Sequence, residues 1–557
     1  PEQRELLARG GVSHLFAISG LHLGLIFFLL YDLARQLYTR SERLLLWAPA
    51  QRVLPLLLLP ALLFYLLFTG NALSTRRALL MLAVVTLLLS RARQTPPLKL
   101  WVVCALLFLL WEPLLLFQPA FQLSFAALLG ILALTPRWLR KLTTRNRLWR
   151  YPATLTLTTT AATLSTFPLV LLNFHLLAPA GILTNLFAIP AIGVLALPLG
   201  LAGLLLLPVW QLGANLLLQT CAGIIHLTLF GVEQILLLPG LQGVLLYPPP
   251  QVLFALLLLC AALLLPAHDR GYQKARGMLL LAALLLVLLP SILFKKHLTV
   301  TALSVGQGDA TLLSFAGGHH ILIDGGGTQS KHFDIGERLL APALGFLGVQ
   351  SLDAVILSHD HPDHRQGLLY ILRHFPVRAF WSATSPAKLH PELTDILRRQ
   401  NIPTICPPPG WSQPDLGFAE TLWLFVPDQM DVNFNNRSLV VLAGNGNDAV
   451  LLTGDLEQSG LAQLLKTPLP RSVNLLKIPH HGSRNSSPEK LLQRLTPQLV
   501  FMSLGKKNPY QFPHAEVIKA LEQRQIPYWS TAADNSLKFS TNGSGWQATH
   551  WNQRLFR

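Results

Sequence analysis

The sequence predicts a polytopic α-helical membrane domain over residues 1–297 and a sheet-rich α/β domain over residues 298–557. Apolar residues make up 51% of the 557 residues and charged residues only 13%, well below the share of about 25% found in soluble proteins. The first half holds 22 Lys and Arg against 7 Asp and Glu, whereas the second holds 22 against 20. One half therefore has membrane composition and the other has ordinary soluble composition.

The membrane half contains about ten apolar runs, each near the length that crosses about 30 Å of hydrocarbon. Two of them are short, so a re-entrant path stays open for one or two. The runs lie at 15–34, 53–69, 76–90, 98–117, 121–135, 152–177, 181–207, 209–238, 250–266 and 277–294.

The distribution of Lys and Arg predicts the orientation of these spans, because loops rich in Lys and Arg stay in the cytoplasm. With ten spans, all the basic loops lie on one side, and everything after residue 295 lies on the other. We therefore expect an exported C-terminal domain. The basic loops are 35–52, 91–99, 136–150 and 267–276.

The second half alternates short β-branched runs with amphipathic stretches, which predicts an α/β sandwich. We expect strands at 298–305, 310–315, 319–323, 353–357, 377–382, 420–426, 438–443, 449–453, 473–478, 498–503, 527–530 and 535–540. We expect helices at 335–347, 363–373, 391–401, 457–466, 488–495 and 514–524.

Residues 359–364 read His-Asp-His-Pro-Asp-His, directly after one of these strands. After a strand, His359 and His361 lie on the same side, two residues apart, and the next turn brings Asp363 and His364 to the same cavity. This density of nitrogen and oxygen ligands predicts a divalent metal site of the kind that activates water for hydrolysis. Asp363 and His364 are also candidate catalytic residues.

Three other segments end predicted strands in chemically useful groups. Asp455 follows a strand and a glycine, where a bridging carboxylate is well placed. His480 and His481 follow another strand, and Asp324 precedes three glycines that allow a tight turn. We expect Asp324 to orient a ligand histidine.

Ser483 and His514 are candidate donors to a phosphoryl oxygen, and His514 is also a candidate catalytic residue, although a histidine at a helix start has an ordinary structural explanation. Cys406 is the single cysteine of this half. A cysteine-based zinc site is therefore excluded, and nitrogen and oxygen atoms must hold any metal.

Together these motifs resemble the metallo-β-lactamase superfamily, with its αββα fold, over most of the second half. The resemblance implies one or two divalent ions, Zn or Mn. It also implies a distal histidine, which is His480 because the superfamily ligand normally follows the strand at once, with His481 as the alternative. The other implied ligands are His359 and His361 at the first position, Asp363 and His364 at the second, and Asp455 between them.

The sequence departs from the superfamily pattern at one position. Between His364 and Asp455 the superfamily often supplies another ligand histidine, but residues 435–440 read Asn-Asn-Arg-Ser-Leu-Val. Either Asn436 takes the place of that ligand, or the first metal position has one ligand fewer.

The membrane half carries three polar interruptions, at residues 13–22, 71–77 and 121–125. Ionisable residues inside apolar spans are candidates for a functional site, whereas small residues also suit close helix packing. The candidate channel residues are His14, Ser19, Gly20, His22, Arg76, Arg77 and Gln122.

These segments resemble the ComEC-type family of competence DNA-uptake channels, namely its HL-AISGLH, RA-LM and FQLSF segments. That family joins such a membrane region to a C-terminal metallo-β-lactamase domain and opens it with an extracellular OB-like domain. The sequence begins at Pro1 rather than Met, so we expect it to be truncated at the N-terminus.

The resemblance implies a bacterial inner-membrane channel that passes single-stranded DNA during natural transformation, with an exported hydrolase domain of nuclease type. Membrane lipid, DNA-receptor and uptake-machinery proteins, and a second copy of the chain are the candidate partners. The alternative is a membrane-anchored metallohydrolase that acts on an envelope phosphodiester without DNA transport. About ten spans with polar interruptions favour the channel, since an anchor needs only one or two.

Overall fold

The structure is a computed structural model that describes residues 2–17, 20–90, 96–142, 146–266, 269–293, 297–327, 333–416, 421–428, 433–506 and 508–551. The chain divides into two compact units. One comprises Pro1–Leu246 with Gln251–Val287, and the other comprises Tyr247–Pro250 with Leu288–Arg557.

The first unit is helical, as its Leu-rich composition predicts, and a two-residue ribbon pairs Leu176–Leu177 with Val244–Leu245. Pro190 lies in a π-helical stretch, Ile189–Ala196, inside the continuous helical segment Gly181–Leu206. Proline lacks the N–H that a regular helix interior uses, and the wider π-helical turn accommodates it. The α-helices of the membrane half are Glu2–Arg9, Ser13–Phe16, Gly20–Tyr38, Glu42–Trp47, Ala50–Phe68, Leu73–Ser90, Pro97–Trp111, Pro119–Leu139, Arg147–Phe174, Gly181–Ala188, Leu197–Leu206, Gln211–Leu236, Pro250–Leu264 and Arg270–Leu293.

Six helical segments of the described residues are long and apolar enough to cross a membrane, which makes this a multi-pass protein. Two more apolar helices, Pro97–Trp111 and Pro250–Leu264, are shorter. All ten predicted runs overlap helices, but the number of spans and their orientation remain predictions. The six segments are Ala50–Phe68, Pro119–Leu139, Leu148–Phe174, Gly181–Leu206, Gln211–Leu236 and Arg270–Leu289.

The second unit contains two mixed sheets. The order of the first is Trp546–Trp551, Ser536–Thr541, Leu298–Ala302, Thr311–Ser314, His320–Ile323, Ala354–Leu357, Phe380–Ser382 and Thr404–Ile405. The order of the second is Tyr528–Ser530, Leu499–Met502, Leu475–Lys477, Asp448–Leu452, Val440–Asn445, Thr421–Val426 and Gly410–Ser412.

Alternation along the strands explains how the sheets pack. Val441, Ala443 and Val450 belong to a core shared by both sheets, whereas Val440 and Leu442 belong to a core shared with helices on the outer face. This is the αββα arrangement, and it confirms the predicted fold class. The helices of this unit are Ala341–Phe346, Pro362–His374, Pro391–Arg399, Gln458–Lys466, Pro488–Leu495, Ala515–Gln523 and Thr531–Asp534.

All twelve predicted strands and six predicted helices are confirmed, with ends shifted by a few residues. Three edge strands and one short helix were not predicted. Thr404–Ile405 and Gly410–Ser412 have too few residues for a periodic signal, and Trp546–Trp551 alternates Trp, Ala and His against polar residues without a clear apolar face.

Candidate metal centre

Four side chains from three segments converge in the second unit. They are Asp363, His364, Asp455 and His481, and their ligand atoms all lie within 4.8 Å of one another. The Oδ2 atom of Asp455 lies 3.2 Å from Nε2 of His364 and 3.3 Å from Nε2 of His481. Asp455 therefore lies between two imidazoles of the same group, and its role as a carboxylate that bridges two metal positions stays a prediction.

The Nδ1 atoms of both histidines are held by acceptors, which determines the tautomer. Nδ1 of His364 lies 2.9 Å from Oδ2 of Asp324, and Nδ1 of His481 lies 2.7 Å from the carbonyl oxygen of Ser503. Asp324 itself accepts hydrogen bonds from the backbone and hydroxyl of Ser358. Each Nδ1–H therefore donates to an oxygen, and each Nε2 is directed to act as a ligand, as in metal sites with an ordered outer shell.

Burial makes this cluster costly unless a cation satisfies it. His359, His364, Asp455 and His481 are each no more than 2% exposed. Nε2 of each histidine and Oδ1 of Asp455 have no hydrogen-bond partner in the described part of the chain. Buried polar atoms without partners are rare in proteins, and this donor set of imidazole nitrogens and carboxylates is one that divalent metals prefer. The residues present therefore fit a divalent metal.

His359 and His361 lie beside this cluster rather than in it. The rings of His359 and His364 are 4.2 Å apart, and those of His359 and His361 are 4.7 Å apart. Nδ1 of His359 contacts the hydroxyls of Ser358, at 3.1 Å, and Ser438, at 3.4 Å. That these two histidines hold a first metal position, adjacent to the compact group, stays a prediction.

Asn436 does not take the place of the missing ligand histidine. Its Oδ1 accepts hydrogen bonds from the backbone N–H groups of Glu457 and Gly460, which are orphan donors at the start of the helix Gln458–Lys466. The neighbouring Asn435 lines the cleft, and its buried Oδ1 has no hydrogen-bond partner among the described residues. If an amide substitutes for the histidine, the geometry favours Asn435.

The geometry also favours His481 over His480, contrary to the sequence argument. His480 is directed at Glu457, whose Oε1 lies 2.9 Å from its Nδ1, and its Nε2 is 3.9 Å from Asp455. Both histidines have left-handed backbone conformations, with φ of 47° and 54°. Two such residues in succession turn the chain, so that the second histidine, not the first, reaches the cluster.

Sequence reasoning missed a buried ion pair beside the cluster. The ammonium of Lys477 pairs with the carboxylate of Asp309 and donates to the carbonyl oxygen of Gly454 at 3.2 Å. Asp309 also forms a second compact acidic group with Asp324 and His364. The sequence shows a lysine at the end of an apolar strand and an aspartate in the Gly-Gln-Gly-Asp turn at 306–309, but no pattern that pairs the two residues.

Glycines bring two loops against the ligand turn. A Cβ on Gly327 would lie 2.0 Å from the carbonyl oxygen of Pro362, and one on Gly308 would lie 2.3 Å from that of Asp363. Any larger residue at either position would force the loops away from the metal ligands. The expected tight glycine turn after Asp324 is therefore present.

The charges of the cluster change its protonation. Burial opposes protonation of His364 and His481, but neighbouring carboxylates outweigh it, raising the pKa of His364 well above its ordinary value and that of His481 to about 10. Burial also opposes ionisation of Asp455, yet the two histidines hold its pKa well below the ordinary value. Protons on the imidazoles thus balance the carboxylates when no metal does so.

We expect metal binding at neutral pH to release protons, because an imidazole with a pKa of about 10 is protonated at pH 7 and must lose that proton to become a ligand. The metal affinity should therefore rise between pH 6 and pH 8, by about tenfold per pH unit for each proton released. Titration calorimetry of the full chain with Mn²⁺, in two buffers of different ionisation enthalpy, counts these protons. The His480→Ala variant should release as many protons on Mn²⁺ binding as the wild type. If the wild type releases no protons, the assignment of His481 as a ligand is wrong.

The cluster lies in a cleft of about 1480 Å³, which also contains Ser483 and His514. The hydroxyl of Ser483 accepts from the backbone N–H of Asn485, and Nδ1 of His514 accepts from the backbone N–H of Arg484 at 3.0 Å. His514 therefore positions the loop that carries Arg484, and its role as a catalytic residue remains a prediction.

The candidate channel residues of the first unit have different surroundings. His22 is buried and His14 is exposed, while Ser19 lies outside the described residues. Gly20 packs so closely that a Cβ would lie 2.9 Å from Cβ of Ala78, which fits helix contact through small residues. The amide of Gln122 accepts from Asn173 at 3.3 Å, joining two helices.

Arg76 and Arg77 are adjacent but differ in burial. Arg76 is exposed and donates to Asn71. Arg77 is only 2% exposed, and its Nε and Nη1 have no hydrogen-bond partner within the described residues. A buried guanidinium in an apolar helix is costly without an anion. Arg77 is therefore the candidate channel residue whose surroundings most clearly lack a hydrogen-bonding or anionic partner among the described residues.

Comparisons with known proteins match both halves separately. Residues 1–270 match the Competence protein family, and residues 303–503 match the metallo-β-lactamase superfamily. That superfamily implies divalent metal binding, in agreement with the donor cluster.

Relatives match across both halves together. ComE operon protein 3 of Bacillus subtilis is 28% identical over 563 residues, covering 95% of this chain and 68% of that protein. Recombination protein 2 of Haemophilus influenzae is 28% identical over 565 residues, covering 94% and 68%. A solved diphosphatase of the PhnP family is 14% identical, covers 46% of this chain and all of its own, and has a TM-score of 0.26.

Proposed function

We propose that this chain, which joins a competence-protein membrane region to a metallo-β-lactamase-superfamily domain, moves single-stranded DNA across the bacterial inner membrane and hydrolyses DNA phosphodiesters. The observation that carries the hydrolytic part is the buried set of unsatisfied ligand atoms around Asp455, which opens into a cleft. The competence relatives support a role in DNA uptake. Transport of one strand, and degradation of the other, are the finer parts of the proposal.

The chain's own residues prepare the site for phosphodiester chemistry. Asp363, His364, Asp455 and His481 would hold one divalent ion, Zn²⁺ or Mn²⁺, with His359 and His361 available for a second. Such an ion, when bound, polarises a phosphoryl oxygen and makes a water molecule more acidic. Asp324 fixes the tautomer of His364 through the 2.9 Å contact to Nδ1. Asp363, with part of its side chain exposed to the cleft, is also the candidate base, and in that role it would leave His364, Asp455 and His481 to hold the ion.

The basic loops support an exported hydrolase domain. The loops at 35–52, 91–99, 136–150 and 267–276 carry Lys and Arg, whereas those at 112–120, 175–180 and 239–249 carry a single Glu and no Lys or Arg. This asymmetry favours a cytoplasmic side for the first set. The hydrolase would then meet DNA before it enters the membrane.

The proposal is tested by uptake of labelled DNA in a transformable strain that lacks its own channel protein and carries the full-length gene. Arg77→Leu should lower uptake at least about tenfold if its buried charge meets the phosphate backbone, whereas the exposed Arg76→Leu should lower it far less. Arg77→Lys retains the charge and separates loss of charge from loss of packing. Wild-type uptake by Arg77→Leu would remove Arg77 from the path, and no uptake by the wild type would overturn the transport function.

A further inference from the structure

Exposed aromatic rings of the second unit gather at the metal cleft. Among the described residues from 297 onward, five large apolar side chains are exposed: Phe333, Ile405, Phe434, Tyr510 and Tyr528. Three of them surround the cluster: Phe333 and Tyr510 line the cleft, and the ring of Phe434 lies 6.0 Å from that of His361. Their exposed fractions are 39%, 56% and 49%. Exposed rings are unfavourable in water, so their concentration here indicates a ligand with flat apolar faces.

Two rings continue outward from a metal ligand as a stack. The ring of His481 stacks on Phe512 with centroids 6.1 Å apart and planes at 30°. Phe512 stacks in turn on Tyr510, at 5.5 Å and 20°. His481 is buried, whereas Tyr510 is more than half exposed. A planar group placed on Tyr510 would therefore extend the stack into the cleft.

Cations accompany these rings. The guanidinium of Arg338 lies 5.6 Å above the ring of Phe333, and that of Arg437 lies 5.5 Å above the ring of Phe434. Arg338, Arg484 and Lys506 line the cleft, and among the described residues that line it the only carboxylates are Asp363 and Asp455 of the metal cluster. Flat apolar faces interleaved with positive charge match a chain of bases and phosphates, which is the pattern of single-strand binding sites.

We propose that Phe333, Phe434 and Tyr510 stack unpaired bases on either side of the phosphodiester held at the cluster, so that the cleft selects single-stranded polynucleotide over duplex. In a duplex both faces of each base are already stacked, and the rings would gain no contact. The inference rests on the proposed hydrolytic function and adds to it the residues that distinguish single-stranded from double-stranded polynucleotide. The size of the cleft, about 1480 Å³, exceeds the upper range of about 1,000 Å³ for small-ligand pockets, which suits several nucleotides.

The test compares three ligands with the purified full chain in detergent and EDTA, which prevents cleavage. They are a labelled thymidine oligonucleotide, an abasic oligonucleotide with the same number of phosphates, and a duplex of the same length. We expect the thymidine strand to bind about tenfold more tightly than the abasic strand, because base–aromatic stacking makes a large contribution for each base. Binding of the duplex should resemble that of the abasic strand or be weaker.

Tyr510→Leu keeps an apolar side chain but removes the stacking face. It should lower affinity for the thymidine strand about fivefold to tenfold and leave that for the abasic strand within about twofold. Tyr528→Leu is the matched control, because Tyr528 is 37% exposed and does not line the cleft. It should bind both strands as the wild type does.

Two failures are distinguishable when Mn²⁺-dependent cleavage is measured in parallel. If DNA is bound or cut but thymidine and abasic strands bind equally, or Tyr510→Leu binds both as the wild type does, the stacking proposal is overturned alone. If DNA is neither bound nor cut, the proposed hydrolytic function is overturned, and the stacking proposal, which rests on it, is overturned as well.

Discussion

Replacing His481 with alanine is expected to lower Mn²⁺-dependent phosphodiester hydrolysis by roughly a thousandfold. The substitution removes one of the four clustered candidate ligands, Asp363, His364, Asp455 and His481. A catalytic metal supplies several kcal/mol of transition-state stabilisation, and each 1.4 kcal/mol is about a factor of ten in rate. Hydrolysis of a labelled oligonucleotide by the purified full chain measures this loss.

His480→Ala is the matched comparison, since it removes the adjacent histidine with the same chemistry. Nδ1 of His480 lies 2.9 Å from Oε1 of Glu457, and its Nε2 lies 3.9 Å from Oδ2 of Asp455. We therefore expect a loss of no more than about tenfold, the lower end of the roughly 10–100-fold loss seen when outer-shell contacts change. The reverse order, with His480→Ala the more severe, would show that the distal ligand follows the strand at once, as the sequence suggested. Equal and small losses would remove both residues from the metal site.

The predictability of the fold and of the site differs for physical reasons. The two-residue alternation of Val440 to Ala443 directs alternate side chains to different cores, and such periodicity is visible in sequence. The turn at His480 and His481 has no such signal. Its left-handed residues, with φ of 47° and 54°, cost about 1–3 kcal/mol each and persist only because surrounding structure holds them. Sequence spacing therefore located the histidine pair but could not choose between its members.

Asn436 and Lys477 illustrate a second limit. Asn436 occupies the expected chain position of a missing ligand, yet its amide oxygen meets the backbone of Glu457 and Gly460. A lone lysine at the end of a strand predicts a surface position. Lys477 is instead buried against Asp309, a residue 168 positions earlier in the chain. Both roles depend on contacts between distant segments, which a single sequence does not record. The conspicuous His359–His364 cluster was found because its ligands are adjacent in the chain.

Lys477→Met is expected to cause the largest loss of stability. It leaves the carboxylate of Asp309 buried next to Asp324 without its ammonium partner, with the imidazoles of His364 and His481 farther away, at 3.9 and 3.6 Å. Breaking one side of a buried ion pair costs about 3–5 kcal/mol, a large share of the 5–15 kcal/mol that typically holds a domain folded. Pulse proteolysis of the full chain in urea and EDTA, following the sheet-rich unit, reports this loss.

The double variant Lys477→Met with Asp309→Asn distinguishes an unpaired charge from lost packing. Removing both charges should recover most of the stability, because the penalty comes from the buried carboxylate that has lost its nearest cation rather than from the absent lysine. Mn²⁺ should stabilise Lys477→Met more than the wild type, since the carboxylates near the cluster have lost a fixed positive charge that opposes the metal ion. A double variant as unstable as Lys477→Met, together with unchanged metal affinity, would mean that Lys477 acts by packing alone. The ion pair would then not contribute to the electrostatics of the metal centre.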